Sequence, residues 1–152
     1  MEYGGNDADF RWNEVAARPF DEHLPNTPLP VFTETMRRMV ESLRAHNVRP
    51  VLSTLPPISS ERYLNWITRD GLSKESILTW LGDENAIYRY QENYSRAIER
   101  LAGELSCTLV DLRSAFLEKR MLLPYLCEDG IHPNDAGQRL IHEVLAEVAA
   151  KA

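Results

Sequence analysis

The 152-residue chain contains no apolar run approaching the roughly 20 residues that a bilayer-spanning helix needs, so no segment reads as a membrane span. It has no basic stripe either. The formal net charge is −6, and Arg37-Arg38 and Lys119-Arg120 are short pairs inside mixed-charge stretches, which argues against a nucleic-acid partner. Cysteine is scarce. Cys107 and Cys127 form no CxxC and have no histidine ladder beside them, so they read as buried thiols rather than zinc ligands or a disulfide. That usage fits a reducing, cytoplasmic setting. The opening stretch MEYGGNDADF lacks the basic and apolar segments of a secretory leader. No internal repeat, low-complexity tract or GxSxG nucleophile elbow occurs. His142-Glu143 begins like HExxH, but Ala146 stands where the second histidine would be, which excludes that zinc motif.

What remains is an ordinary globular composition, 43% apolar and 26% charged, at a length suited to one domain with a single core. Short β-like runs alternate with amphipathic helices, the pattern of an α/β layer structure with a parallel sheet. Glu2-Tyr3-Gly4 reads as the end of a strand opening into a Gly-Asn-Asp loop. Pro19, Pro25, Pro28 and Pro30 mark an irregular segment, with Pro30 suited to a helix first turn. Phe32, Met36, Met39, Val40 and Leu43 then recur at helical spacing up to about Asn47. Val51–Leu55, closed by Pro56-Pro57, reads as a buried parallel strand.

Two short helical pieces broken at Gly71 follow, rich in aromatics and lid-like. A longer helix carries Ile87, Tyr90, Tyr94, Ile98, Leu101 and Leu105 on one face. Cys107–Val110 is the next strand, with Asp111 at its end as a cap. A final helix, capped by Asn134, is expected to bury Leu140, Ile141, Val144, Leu145 and Val148. His23 and His46 stand alone and are expected in solvent. Trp66, Trp80, Tyr88 and Tyr90 are expected in core packing, with a pocket wall as the alternative, and Trp12 is placed beside the cleft.

Two loops can carry chemistry. Asp129 and His132 are two residues apart in a Gly- and Pro-punctuated loop. A carboxylate so placed can accept from one imidazole nitrogen while the other faces a cleft, as a general base requires. The alternative is a loop that merely caps the last helix. Gly4-Gly5-Asn6-Asp7 permits a tight strand-to-loop turn, and the Asn6 amide can donate to a developing oxyanion; the same composition also makes ordinary turns. Ligands of open parallel sheets bind beyond the carboxyl ends of the strands, where both loops lie. A metal-dependent phosphoesterase built on Asp7, Asp129 and His132 would need more ligands than the chain offers.

Taken together, YGGND near the start and DGIHPN near the end resemble the third and fifth sequence blocks of the SGNH (GDSL) serine hydrolases, and VLSTLPP resembles the family's fourth strand and following loop. The resemblance implies a flavodoxin-like three-layer α/β/α sandwich with a parallel sheet, here without its N-terminal strands. Residues 1–152 would form a single, incomplete domain. It implies His132 as general base and acid, Asp129 as its orienting carboxylate, and Asn6 and Gly4 as the oxyanion or substrate-binding block. It implies no metal and no organic cofactor, and a small-molecule, carbohydrate or lipid acyl ester as substrate. The family's nucleophile is the serine of an N-terminal GDS block, and no Gly-Asp-Ser occurs in this sequence. The expectation is therefore a C-terminal esterase segment whose first blocks lie upstream of Met1. Because losing a triad serine costs about a million-fold in turnover, it is expected to be inactive alone. An exposed sheet edge would favour self-association. The rival expectation is a binding module derived from such a hydrolase.

Overall fold

The computed structural model describes residues 1–150. Among them lie β1 (Val51–Ser53) and β2 (Thr108–Val110), and seven α-helices: α1 (Trp12–Ala17), α2 (Leu29–Ala45), α3 (Ser60–Thr68), α4 (Lys74–Leu81), α5 (Asn85–Glu104), α6 (Leu112–Leu117) and α7 (Asp135–Ala150). β1 and β2 pair in parallel, with Leu52 opposite Leu109. The expected α/β class with a parallel sheet is what the chain adopts.

The start of the chain lies along β1 as an extended stub. The Met1 amino group donates to the Val51 carbonyl, and the Ser53 amide donates to Met1 (3.0 Å). The strand end expected at Glu2-Tyr3-Gly4 does not form as a strand: the residue bonded to β1 is Met1, and the chain turns away at Gly4.

Two apolar clusters organise the packing. In the first, Phe32, Met36 and Val40 from α2 meet Tyr94, Ile98 and Leu101 from α5 over Leu52 and Leu55. The 3.6-residue spacing of both helices places these residues on the facing stripes. In the second, Phe10, Trp12 and Val15 meet Tyr63 and Leu64 of α3, Ile77 of α4 and Ile87 of α5. The segment expected as an aromatic lid is thus largely wall: Tyr63, Leu64 and Ile77 are buried. Ser59 and Ser73 cap its two helices by accepting from the amides of Arg62 and Ser76.

Several expectations need correction. Residues 12–17, to which the sequence pattern assigns no element, form α1; one and a half turns without a side-chain N-cap bond leave too little periodicity to see. The final helix buries only Gly137 and Leu140, while Leu145 remains 46% exposed. Its apolar stripe has the right spacing and the helix packs on α6, β2 and the turn at Leu123–Tyr125, yet Ile141, Val144 and Val148 are only half-buried. Cys107 and Cys127 are half-buried and unbridged. His23 is half-buried too, its ring standing edge-on to Trp80 at 5.4 Å. Trp80 itself stacks on Tyr90, whereas Trp66 faces outward under the Arg69 guanidinium.

Candidate active site

The loop after β2 and α6 is shaped by two glycines. At Gly130 φ is +76°, and a Cβ there would sit 2.5 Å from Arg62 Cβ and 2.9 Å from the Ser59 carbonyl oxygen. Only glycine lets this turn lie against the first turn of α3, where the Ser59 amide donates to the Gly130 carbonyl (2.8 Å). Gly137 lets α7 start against the Tyr125 carbonyl, and Asn134 Oδ1 caps that helix by accepting from the amides of Ala136 and Gly137.

Within this frame, Asp129 accepts three hydrogen bonds. Oδ2 faces His132 Nδ1 at 2.7 Å, and Oδ1 accepts from the amides of Ile131 and His132, each at 3.0 Å. Burial works to raise the Asp129 carboxyl, but the His132 ring and the two amides outweigh it, so it lies below its ordinary value. The Asp129 side chain is 13% exposed and that of His132 72% exposed. The carboxylate is therefore held and ionised, with Nδ1 of the ring turned to it and Nε2 left for a reactant.

The Gly-Asn loop lies opposite. Gly4 is buried at φ +124°, and a Cβ would come within 3.1 Å of Leu55 Cδ1. Its place is the tight turn over the first cluster, and it is not among the residues lining the cavity, whereas its neighbours Gly5 and Asn6 are. The Asn6 carbonyl accepts from Asn26 Nδ2 (2.9 Å), which anchors the loop while the residue itself stays exposed.

Both loops open onto one cavity of about 300 Å³. Asn6 and His132 lie on its rim; Leu55 and Pro56 follow β1 into it; Phe10, Trp12, Ile58, Tyr63, Ile87, Tyr90 and Ile131 supply apolar and aromatic wall. The size is at the small end for ligand pockets. Asp111, by contrast, is no part of it: it caps α6 by accepting from the Ser114 amide at 3.0 Å. Among the described residues no three His, Cys, Asp or Glu side chains converge as metal ligands. No described helix is long and apolar enough to cross a membrane.

One part of the wall escaped the sequence reading. Asp9 accepts from Tyr63 Oη (2.5 Å) and from Trp12 Nε1 (2.8 Å). Burial raises the Asp9 carboxyl above its ordinary value, and the bonds from Tyr63, Trp12 and the Phe10 amide offset this only in part. No sequence signal marks the trio, because its members are joined through α3, 54 residues along the chain.

The family model for the GDSL-like lipase/acylhydrolase family matches residues 1–140. The chain belongs to that family. A curated relative, the isoamyl acetate-hydrolyzing esterase of Saccharomyces cerevisiae (strain ATCC 204508 / S288c), is 27% identical over 127 residues, covering 81% of this chain and 48% of the relative. The chain thus spans about half the length of the curated relative it matches. Among solved structures, a lipase/acylhydrolase from Enterococcus faecalis superposes with a TM-score of 0.65 at 17% identity, over 99% of this chain and 60% of that one. A GDSL-like lipase from Bacteroides thetaiotaomicron gives 0.58 at 16% identity, over 90% and 58%. These likenesses establish the fold of this GDSL-family chain, and its membership supports an acylhydrolase type of chemistry.

Proposed function

We propose that this chain supplies the base and oxyanion side of an ester-hydrolysing site. His132 takes the proton from a serine hydroxyl and returns it to the leaving alcohol; Asp129 fixes the ring and stabilises the imidazolium; the Asn6 amide donates to the tetrahedral oxyanion. The observation that carries this is that Asn6 and His132 line a single cavity while Asp129 holds the His132 ring from behind. The nucleophile comes from a GDS block outside these 152 residues, and residues 1–152 form one incomplete domain of the complete enzyme. Without that serine, turnover is lower by about a million-fold. The small apolar cavity favours a short acyl ester, in line with the isoamyl acetate named for the yeast relative. No cofactor enters the reaction. The two unbridged cysteines fit a cytoplasmic setting.

The test is hydrolysis of p-nitrophenyl butyrate by the chain alone and by the chain joined to an N-terminal, GDS-bearing segment of the kind the family resemblance implies. Turnover by the joined protein only, lost on His132→Ala and reduced about a hundred- to a thousand-fold on Asn6→Ala, is the expected result. Joined protein that folds and binds but never turns over would refute it.

A second reading, a non-catalytic binding module, draws on the 46% exposure of Leu145 on α7 and the short sheet. These leave apolar surface for a partner or a second copy. A folded dimer by light scattering, inert in both forms above, would favour it.

A further inference from the structure

The two motif loops share no backbone hydrogen bond with each other, yet the chemistry proposed for them needs Asn6 and His132 at a fixed separation. What lies between them is α3. Its first turn is docked on the His132 loop: Ser59 N donates to the Gly130 carbonyl, and Arg62 Nη1 reaches the carbonyls of Leu126 and Cys127 at 3.4 and 3.3 Å. One residue further, Tyr63 crosses the cavity wall and donates through its hydroxyl to Asp9, three residues beyond Asn6. The Asp9 amide turns back to the Asn6 carbonyl at 3.4 Å, and the Asp9 carbonyl accepts from the Asn26 amide at 2.7 Å. Trp12 Nε1 closes the bracket on the second carboxylate oxygen. Every buried side-chain polar atom among the described residues has a partner, so this trio asks nothing of a ligand. Its chemistry is that of a strut.

We propose that Asp9 and Tyr63 are positioning residues: their hydrogen bond, gripped by Trp12, sets the Asn6 loop against the His132 loop. The role rests on the reading of Asn6 and His132 as oxyanion donor and general base. Neither strut residue touches the reacting atoms; each acts through the loop it holds.

The experiment is amide hydrogen exchange by NMR on the whole chain, comparing wild type with Tyr63→Phe. A control, Tyr88→Phe, removes a hydroxyl that Arg113 Nη2 contacts outside the cavity. The Trp12 indole resonance reports directly on the Asp9 carboxylate. In Tyr63→Phe that resonance shifts, and exchange at Ala8 and Asp9 and at Ile131 and His132 rises together by about tenfold, the effect of one lost hydrogen bond. Tyr88→Phe leaves both loops at wild-type rates. A rise confined to residues 5–12, with Ile131 and His132 unchanged, would overturn the strut. Sodium butyrate, a product-like carboxylate, then tests the deeper reading. It is expected to bind wild type and to bind Tyr63→Phe about tenfold more weakly, the scale of a small misplacement. Equal affinity in both would overturn the positioning role even with coupled exchange. Absence of binding to wild type would instead remove the ester-site reading on which that role rests.

Discussion

Asp9 in the cleft wall and Asp129 behind His132 are carboxylates treated in opposite ways. Asp129 sits in a glycine-shaped loop, takes two amides and an imidazole nitrogen, and is held below its ordinary pKa. Asp9 sits among Trp12, Tyr63 and Phe10, and burial holds it above. The contrast teaches how environment divides labour between like groups: a carboxylate paired with an exposed imidazole is surrounded by donors, and one that braces a wall can tolerate a dry, aromatic setting.

The comparison breaks most sharply at the glycines that shape the two loops. Gly130→Ala is expected to cost roughly 3 kcal/mol or more in urea unfolding, because positive φ and a 2.5 Å collision with Arg62 act together. Gly5→Ala, with nothing within 4 Å of the new methyl, should change stability by less than about 0.5 kcal/mol. If both substitutions cost the same, the docking of the His132 loop on α3 is misjudged.

Next in size is the loss of the Asp129 acceptor. Asp129→Ala removes the partner of two amides and a ring nitrogen and should destabilise by about 1–3 kcal/mol. His132→Ala, by contrast, should shift stability by less than about 1 kcal/mol, since a mostly exposed ring contributes little to the core. In the joined protein the order is expected to reverse in importance: His132→Ala should abolish turnover while leaving the fold intact.

The pH dependence sharpens the contrast further. A lowered folded-state pKa means that the stability contributed by Asp129 is present above its ordinary value of 3.8 and is lost as pH falls through the lower folded value. The raised value of Asp9 has the opposite sign: its contribution is full below 3.8 and is lost as pH rises through the higher folded value. Unfolding of Asp129→Asn and Asp9→Asn between pH 3 and 7 should therefore show opposite slopes relative to wild type. As pH rises, Asp129→Asn falls behind the wild type and Asp9→Asn gains on it. Parallel slopes would show that one of the two environments is wrong.

Much of this was legible in the residues. The 3.6-residue spacing of Phe32–Met36–Val40 and of Ile87–Tyr94–Ile98–Leu101 located α2 and α5, and apolar runs before Pro56 and Asp111 located both strands. The Asp129–His132 pair and the capping role of Asn134 follow from spacing within one loop, where sequence distance and spatial distance coincide. What could not be read was set by tertiary contact. Gly4 and Gly5 look alike in sequence, but packing against Leu55 and Phe32 buries the first and leaves the second on the cleft. The Leu145 face of α7 has core periodicity without a core to meet. Asp9 and Tyr63 carry no motif, and only the fold of α3 across the wall brings them together.

The central claim, that Asn6, Asp129 and His132 form the working half of a serine hydrolase, is tested most directly by covalent trapping. The chain joined to a GDS-bearing segment would be exposed to a fluorophosphonate, and incorporation counted by intact-protein mass. One label on the GDS serine, lost on His132→Ala and absent from the 152-residue chain alone, is the predicted result. Labelling that persists without His132, or that appears on the chain by itself, would contradict it.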